Sequence, residues 1–353
     1  MRKLATIQKI EEMQPVENAN QIEKCRIKDW WIVILKNQFK VNENVVYFEI
    51  DSFLPITPEF EFLLKGSSPK KMIIDTVERT GIRLKTKKIR GQLSQGLIMP
   101  LSILEGKKYS KDTRENPDYN FFAGKDVSEL LGVYKYEPPL PASLSGEFKG
   151  GFPPFVPKTD EERIQNCGDL LEKHKGELFY VSEKIDGTSV TYYKHNNEFG
   201  VCQRNWELKE TTVIYWKLAM EFDIRNKLAE GFSIQGEIAG EGVQGNPLKL
   251  KGQHLFIYNV WDIKNNKYLD YKDFICFVAA MGLKTVPIIN DNFVLMHTVD
   301  SLLAMAEGNS AISSNPREGL IFRPLSEQRD YINGAISRLS FKAISNSYLI
   351  NYE

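Results

Sequence analysis

Residues 182–189 have the sequence SEKIDGTS, with a lysine, one spacer and Asp-Gly between two segments patterned like β-strands. The segments ELFYVSEK and TSVTYYKH alternate apolar and polar residues, as half-buried strands do. We therefore expect Lys184 at a strand end, with Ile185, Asp186 and Gly187 forming the turn. A β-hairpin would explain this stretch, because Asp-Gly favours tight turns. An enzyme would explain it with Lys184 as the nucleophile; the motif alone is weak and favours the hairpin.

The composition excludes several classes of protein. The chain has 353 residues, 42% hydrophobic and 26% charged, which is typical of globular proteins and long enough for two domains. No apolar run approaches the roughly 18 residues that span a bilayer, and charge interrupts the N-terminal segment too early for a signal peptide. The four cysteines are scattered, without a zinc pair or disulfide framework. We expect an intracellular, cytoplasmic protein with free thiols.

One segment is strongly basic although the net charge of the chain is zero. Residues 69–90 carry eight lysines and arginines against two acidic residues. Such a run is either a solvated surface or a surface that contacts a phosphate backbone. The zero net charge argues only against a uniformly basic DNA-coating protein.

Three regions are distinguishable along the chain. Residues 1–133 contain short apolar runs such as WWIVIL, VNENVVYFEI and GLIMPL, which predict several strands in a small barrel or sandwich. Residues 134–158 are dense in proline and glycine and are predicted to be a linker without regular structure. Residues 159–353 mix strand and helix patterns, which predicts an α+β domain.

The α+β region begins with a predicted helix. Thr159 and Glu162 have the spacing of a capping box, and Gly176 would end the helix. The segments TVIYWKLAMEFDIRNKL and YKDFICFVAAMG also have helical patterns. Strands are predicted in FSIQGEIAG, HLFIYNVWDI, EGLIFRP and SRLSFKAIS.

Five further features follow Lys184 in a particular order. They are Arg204-Asn205 in VCQRNWEL, Gly236-Glu237 in SIQGEIAG, the aromatic strand LFIYNVWDI, Glu318 in REGLIFRP and Lys342 in RLSFKAIS. Each feature is loose, but the ordered set is specific. It resembles the covalent nucleotidyltransferase superfamily of ATP-dependent ligases and capping enzymes.

The resemblance implies that Lys184 attacks the α-phosphate of ATP and retains AMP as a phosphoramidate. A free lysine has a pKa of about 10.4, so nearby cationic charge must favour the neutral amine. Hydrated Mg²⁺ or Mn²⁺ would provide that charge and also neutralise the phosphates. Because magnesium retains several waters, Asp186, Glu237 and Glu318 are candidate metal-site carboxylates that act partly through water.

The same resemblance suggests roles for the remaining features. Arg204 should contact phosphate, and Glu237 the ribose or the metal site. Adenine needs an aromatic face, for which Tyr258 is the first candidate and Trp261 the second. Each also has a structural explanation: Arg204 as a surface residue, Glu237 at a turn, and Tyr258 in the core.

The order of the domains indicates a particular branch of the superfamily. DNA ligases and capping guanylyltransferases usually carry an OB domain after the last motif, whereas only residues 343–353 follow Lys342 here. The arrangement resembles ATP-dependent RNA ligases with an N-terminal OB domain, sometimes called RNA ligase family five. The expected fold is an OB-like β-barrel followed by an ATP-grasp-like α+β adenylyltransferase domain with antiparallel sheets.

This branch implies a three-step reaction. AMP passes from Lys184 to an RNA 5′-phosphate, and a 3′-hydroxyl then attacks that end, which closes the break and releases AMP. The expected partner is RNA with 5′-phosphate and 3′-hydroxyl ends in a nicked duplex, and the expected assembly is a monomer. The resemblance also favours nucleic-acid contact for the basic segment.

Two candidate phosphate-binding cations lie near the ends of the α+β region. Arg163 in TDEERIQN matches a family arginine that contacts phosphate, although it could be a helix-surface arginine paired with an acid. The last motif of the family usually has two lysines one residue apart, but Ser340 takes the first place and only Lys342 remains. Arg338 is a candidate replacement on the same strand face, though a guanidinium mimics a compact ammonium poorly.

Two alternatives from other classes remain open. A capping-type guanylyltransferase would use the same lysine with GTP. A non-catalytic RNA-binding protein with a decayed ligase domain would have no need for Lys184, Asp186, Glu237 and Glu318 together.

Overall fold

The computed structural model describes residues 2–75, 77–107, 122–139, 146–211, 213–332 and 334–352. They fall into two compact units, Met1–Leu140 and Pro141–Tyr352. No helix among these described residues is long and apolar enough to span a membrane.

The described part of the first unit consists of short strands and two 3₁₀ helices, Glu61–Gly66 and Leu101–Leu104. The strands are β1 (Ala5–Lys9), β2 (Glu12–Pro15), β3 (Ile22–Ile27), β4 (Trp30–Leu35), β5 (Asn44–Phe48), β6 (Ser52–Pro55), β7 (Lys70–Ile74), β8 (Val77–Arg83), β9 (Lys87–Ile89), β10 (Gln92–Ser94), β11 (Leu97–Pro100) and β12 (Tyr134–Lys135).

These strands form small antiparallel sheets. The sheet orders are β1-β5-β11, β2-β3-β4, β12-β6-β8-β7 and β10-β9. Along β4, Trp30, Ile32 and Ile34 are buried at every second position, as the strand period requires. The core includes Phe48 and Ile82. The predicted all-β character of the N-terminal region is confirmed.

The second unit mixes strands and helices. Its strands are β13 (Phe148–Gly151), β14 (Glu162–Arg163), β15 (Leu178–Lys184), β16 (Thr188–His195), β17 (Glu198–Gln203), β18 (Trp206–Leu208), β19 (Phe232–Gly240), β20 (Gln253–Asp262), β21 (Lys267–Tyr268), β22 (Lys284–Thr285), β23 (Ile288–Val294), β24 (Gly319–Pro324), β25 (Arg329–Ile332), β26 (Ala335–Arg338) and β27 (Phe341–Ile344). Its helices are α1 (Gly168–Lys173), α2 (Ile214–Glu221), α3 (Ile224–Lys227), α4 (Tyr271–Ala280), α5 (Val299–Ala306) and α6 (Asn346–Tyr352), with a 3₁₀ turn at Ile164–Asn166.

Two sheets organise this unit. The large sheet has the order β13-β18-β17-β16-β19-β20-β21, with β22 beside β20, and the five-stranded sheet has the order β14-β27-β24-β15-β23. Neighbouring strands are antiparallel except in the pairs β14–β27 and β20–β22. The prediction of an α+β domain with antiparallel sheets is confirmed.

Each sheet has its own core. Residues of α2 and α4, including Leu218 and Val278, pack on the large sheet. Residues of α1 and α5 pack with Phe322 and Phe341 on one side of the five-stranded sheet. Because side chains alternate along a strand, Lys184, Arg323 and Lys342 lie on the other side of the five-stranded sheet.

The KIDG segment connects the two sheets and does not close a hairpin. Lys184 pairs with Gly319 in the five-stranded sheet, whereas Thr188 pairs with Ile238 in the large sheet. A Cβ on Gly187 would lie 2.2 Å from the carbonyl oxygen of Ile238, so the glycine permits the close passage of the chain beside β19. The hairpin explanation of this stretch is therefore wrong.

The predicted capping box is also wrong. Glu162 and Arg163 form β14, which pairs with Phe341 and Lys342, and the helix begins only at Gly168. The Glu162 carboxylate accepts hydrogen bonds from the backbone N–H of Arg163 and from Asn166. Pairing with a distant strand overrides the local helical signal.

The predicted linker is partly ordered. Phe148–Gly151 forms β13 beside β18, so the expectation of no regular structure is wrong there. The chain that follows is irregular but anchored, since Trp261 donates to the carbonyl of Phe155 and Gln235 to that of Pro157. Residues 140–145 of the predicted linker lie outside the described residues.

The helices from TVIYWKLAMEFDIRNKL and YKDFICFVAAMG are confirmed as α2, α3 and α4. Helices α5 and α6 were not predicted.

Candidate active site

Lys184 ends β15 on the side of the five-stranded sheet that faces away from α1 and α5. Its partner in the adjacent strand is Gly319, which directly follows Glu318. The register brings Lys184 Nζ to 2.6 Å from Glu318 Oε2. The lysine side chain is 29% exposed and the glutamate side chain 15%, so the pair lies in a partly enclosed site.

Three carboxylates determine the charge state of Lys184. Burial by itself would lower the pKa of its amine, but the charges of Glu318, Glu237 and Asp186 outweigh it, and the pKa lies above its ordinary value. The chain alone therefore holds Lys184 as an ammonium. For Lys184 to act as a nucleophile, a further cation must therefore bind nearby and favour the neutral amine.

Glu237 on β19 holds its proton more tightly than an ordinary glutamate, with a raised pKa. Burial raises the pKa of its carboxyl to about 8; Lys184 and Arg204 oppose this rise, and Glu318 and Asp186 add to it. Burial is the largest cause of this raised pKa, and the two neighbouring carboxylates add to it. A bound cation would favour the ionised form of Glu237.

The carboxylates do not form a ready-made metal cage. Within the described ranges, no group of three or more His, Cys, Asp or Glu side chains is arranged to hold a metal ion directly. Asp186, Glu237 and Glu318 nevertheless act together on Lys184. Their oxygen chemistry fits a hydrated divalent cation whose waters reach the carboxylates.

Tyr258 lies close to this cluster. Its hydroxyl is 3.3 Å from both Thr159 Oγ1 and Ser189 Oγ. Burial and the charge of Glu237 raise its pKa to about 12. The side chain is half-buried, so part of it is accessible from the site.

Trp261, the second candidate for the adenine contact, has a structural role. It is 6% exposed. Its indole N–H donates to the carbonyl oxygen of Phe155 at 3.1 Å, and its ring packs edge-on against Tyr268. These contacts anchor the chain that precedes β14.

Arg163 and Lys342 are brought together by strand pairing. They are register partners in the parallel pair β14–β27. Arg163 is 4% exposed, so its interpretation as a helix-surface arginine is wrong. Lys342 Nζ lies 3.3 Å from Asp160 Oδ1.

Arg204 follows β17 and is exposed. Its charge lowers the pKa of Glu237, so it lies near the same carboxylate cluster. The structure thus gathers Lys184, Asp186, Glu237, Glu318 and Arg204, which are dispersed in the sequence.

Arg338 does not take the place of the missing lysine. Its guanidinium pairs with Glu327, donates to Asn259 Oδ1 at 2.7 Å and lies 3.9 Å from the ring centre of Tyr268. These contacts hold the β25–β26 hairpin against β20. The suggestion that Arg338 replaces the first lysine therefore has no structural support.

Arg323 is the cation that lies beside Ser340. Its Nε is 3.3 Å from Ser340 Oγ, Nη1 donates to the carbonyl of Tyr258 at 3.0 Å, and Nη2 pairs with Glu161 at 2.5 Å. It is among the largest fully buried side chains. Arg323 lies in the segment EGLIFRP, but no sequence pattern marks it as part of the site.

A second residue that the sequence did not reveal is Tyr348. Its hydroxyl donates to Asp186 Oδ2 at 2.5 Å from the far end of the chain. No local pattern signals such a contact, since SNSYLINY is ordinary for a terminal helix.

Comparison with known proteins places this geometry in a family. A family profile described as an OB-fold domain matches residues 4–101, and one described as RNA ligase matches residues 177–344. A comparison of the sequence with curated proteins found no match.

Solved structures of Naegleria gruberi RNA ligase are similar over nearly the whole chain. The structure with PPi is 39% identical, covers 99% of this chain and 98% of its own, and has a TM-score of 0.82. A variant with ATP and Mn is 39% identical, with 99% and 97% coverage and a TM-score of 0.81. A variant with AMP and Mn is 38% identical, with 99% and 98% coverage and a TM-score of 0.82. With its OB-fold domain followed by a ligase domain, this chain belongs to the RNA ligase family.

Proposed function

We propose that this protein is an ATP-dependent RNA ligase that seals 3′-hydroxyl/5′-phosphate breaks through a covalent AMP on Lys184. The observation that carries the proposal is the site of Lys184. Its amine ends a strand, is 2.6 Å from Glu318, and shares a partly enclosed space with Asp186 and Glu237. Naegleria gruberi RNA ligase, a relative over the whole chain, has been solved with ATP and Mn and with PPi.

In the first step Lys184 Nζ forms a bond to the α-phosphorus of ATP while the bond to the pyrophosphate oxygen breaks. Pyrophosphate leaves with that electron pair. The ammonium must lose a proton before attack, and Glu318 is within hydrogen-bonding distance to accept it. The products are a lysyl phosphoramidate of AMP and pyrophosphate.

A bound Mg²⁺ or Mn²⁺ would supply positive charge that neutralises the phosphates and favours the neutral amine. Asp186, Glu237 and Glu318 would hold it, at least partly through its waters. Before it binds, these carboxylates keep Lys184 protonated, which restrains the nucleophile until substrate arrives.

The cationic residues would bind the phosphates of ATP. Arg163 and Lys342 are register partners across β14–β27 of the five-stranded sheet. The exposed Arg204, which follows β17, lies near Glu237 of β19, and both strands belong to the large sheet. The phenyl face of Tyr258 would stack on adenine. Arg323 supports Tyr258 through its backbone carbonyl.

In the later steps AMP passes from Lys184 to a 5′-phosphate of RNA, forming a pyrophosphate linkage and restoring the lysine amine. A 3′-hydroxyl then attacks that 5′-phosphate, forms the phosphodiester bond and releases AMP. The chemistry fits two ends held side by side in a nicked duplex.

The basic segment of the OB-fold unit would contact the RNA backbone. Six of its cations are exposed on β7 to β10 and their turns, namely Lys70, Lys71, Arg79, Lys87, Lys88 and Arg90. Arg83 is instead engaged by Asp51 at 2.7 Å, and Lys71 pairs with Glu78 at 2.7 Å. The cations beyond these pairs support a phosphate-contacting surface.

Sealing of a nicked duplex tests the proposal. The substrate carries a labelled 5′-phosphate and a 3′-hydroxyl RNA end, and ATP and Mg²⁺ are added to wild type and to Lys184→Ala. A sealed strand with wild type only is expected. A parallel reaction contains GTP in place of ATP. Transfer of GMP but not AMP to the protein would favour a capping-type guanylyltransferase, and RNA binding without transfer of either would favour a binding protein.

A further inference from the structure

A buried tyrosine from the terminal helix α6 contacts the site carboxylate Asp186. The hydroxyl of Tyr348 lies 2.5 Å from Asp186 Oδ2 and donates to it. Tyr348 is 2% exposed, and Asp186 is half-buried. A buried hydroxyl bound to a carboxylate makes a strong, charge-assisted hydrogen bond.

Helix α6 is held in place by contacts that do not involve Asp186. Glu307, which follows α5, accepts hydrogen bonds from Ser345 Oγ at 2.8 Å, from the N–H of Asn346 at 2.7 Å and from Ser347 Oγ at 2.5 Å. An acidic group at a helix N-terminus also stabilises the helix dipole. The phenol therefore approaches Asp186 from a fixed support.

The hydrogen bond leaves the two oxygens of Asp186 in different situations. Oδ2 receives the phenol O–H, which fixes the rotation of the carboxylate. Oδ1, the second oxygen of the carboxylate, does not take part in this hydrogen bond.

We propose that Tyr348 is a positioning residue. It orients Asp186 so that Oδ1 of the carboxylate accepts a hydrogen bond from a water of the hydrated divalent cation. This inference rests on the proposed function, which assigns Asp186 to the metal site. Without the hydroxyl, Asp186 would be free to rotate, and the cation would bind less tightly. Loss of such an outer hydrogen bond typically weakens metal binding by about 10- to 100-fold.

The test compares Tyr348→Phe with Tyr352→Phe. Tyr352 lies on the same helix and its ring stacks on Tyr348 at 4.6 Å, but it is 47% exposed. Binding of Mn²⁺ in the presence of α,β-methylene ATP is followed by the loss of the electron paramagnetic resonance signal of free Mn²⁺. We expect Tyr348→Phe to weaken Mn²⁺ binding by about tenfold or more and Tyr352→Phe to leave it unchanged.

The half-saturating Mg²⁺ concentration for AMP transfer should rise by a similar factor in Tyr348→Phe, with the rate at saturating Mg²⁺ nearly retained. In a double variant, Tyr348→Phe should not weaken Mn²⁺ binding beyond the effect of Asp186→Asn, because the carboxylate that accepts the hydrogen bond of Tyr348 is already replaced. Unchanged Mn²⁺ binding in Tyr348→Phe overturns the inference, as does a lowered melting temperature with an unchanged metal requirement.

Formation of lysyl-AMP by wild type tests the proposed function independently of Tyr348. If wild type forms no lysyl-AMP, the ligase proposal fails, whereas the Mn²⁺ binding measurements still decide the role of Tyr348.

Discussion

Arg163 lies directly opposite Lys342 in the short parallel pair β14–β27, although the two residues are far apart in the sequence. Lys342 is also paired with Ile321 of β24, whose neighbour β15 ends at Lys184. Lys342 thus lies two strands, and Arg163 three strands, from the strand that carries the nucleophile, in the same sheet. We expect both to bind the phosphates of ATP.

Substitution Lys342→Ala should slow AMP transfer to Lys184 by at least about 100-fold, since one charge that stabilises the transferring phosphoryl group is lost. The rate is measured by single-turnover labelling with α-labelled ATP. Lys175→Ala removes an exposed lysine paired with Glu172 and should keep the wild-type rate. An active Lys342→Ala enzyme would contradict the assignment of the last motif.

Arg163→Ala should reduce AMP transfer by about 10- to 100-fold and raise the ATP concentration needed for half-maximal rate. Arg163 is buried, so the melting temperature of the variant is measured beside its kinetics. Arg329→Ala removes an exposed arginine of β25 and serves as the matched control. Wild-type rates for all three steps in Arg163→Ala would show that this arginine contacts no phosphate.

Glu237 should make the ligand-free protein less stable as the pH rises. Its pKa is about 8 in the folded protein, against an ordinary 4.5. Between these values the folded state retains a proton that the unfolded state releases, so the free energy of unfolding falls as pH increases. Urea denaturation from pH 5 to 8 should show this loss in wild type and a flatter profile in Glu237→Gln.

The same Glu237→Gln variant should be inactive in AMP transfer. A steep loss of stability that persists in Glu237→Gln would show that another group is responsible.

Gly187→Ala should disrupt the passage of the chain between the two sheets. Its Cβ would lie 2.2 Å from the carbonyl oxygen of Ile238, and backbone must move to relieve this contact. We expect the free energy of unfolding to fall by about 1–3 kcal/mol and AMP transfer to be lost, because Lys184 and Asp186 flank this turn.

Gly150→Ala provides the control, since a Cβ there meets nothing within 4 Å. Equal stability of the two variants would show that the chain accommodates a side chain at residue 187.

Much of the fold followed from local patterns in the sequence. Alternating residues located the strands that carry Lys184, Glu237 and Tyr258, because each of those strands is long enough to show its period. The order of the motifs indicated the family before any contact was known. The prediction of an N-terminal β-domain rested on the same strand signals.

The incorrect predictions concern segments whose structure depends on pairing with strands that are distant in the sequence. The KIDG turn has the same local signature whether it closes a hairpin or joins two sheets, and only the partners Gly319 and Ile238 distinguish them. Arg163 lies in a strand of two residues, too short for any periodicity. Its pairing with Lys342 cannot be inferred from neighbouring residues.

The electrostatics of the site also required three-dimensional contacts. The sequence indicated that Asp186, Glu237 and Glu318 belong together, but their combined effect on Lys184 depends on burial and distance. The contacts of Arg323 and Tyr348 arise from separate strands and from a terminal helix. These contacts could not be predicted from the sequence, because they join residues that are far apart in it.

The intact mass of the protein after incubation with ATP and Mg²⁺, followed by peptide mapping, tests the role of Lys184 directly. We expect wild type to gain the mass of one AMP on Lys184, GTP to give no adduct, and Lys184→Ala to gain nothing. An AMP adduct on another residue, or no adduct on folded wild-type protein, would show that Lys184 is not the AMP acceptor.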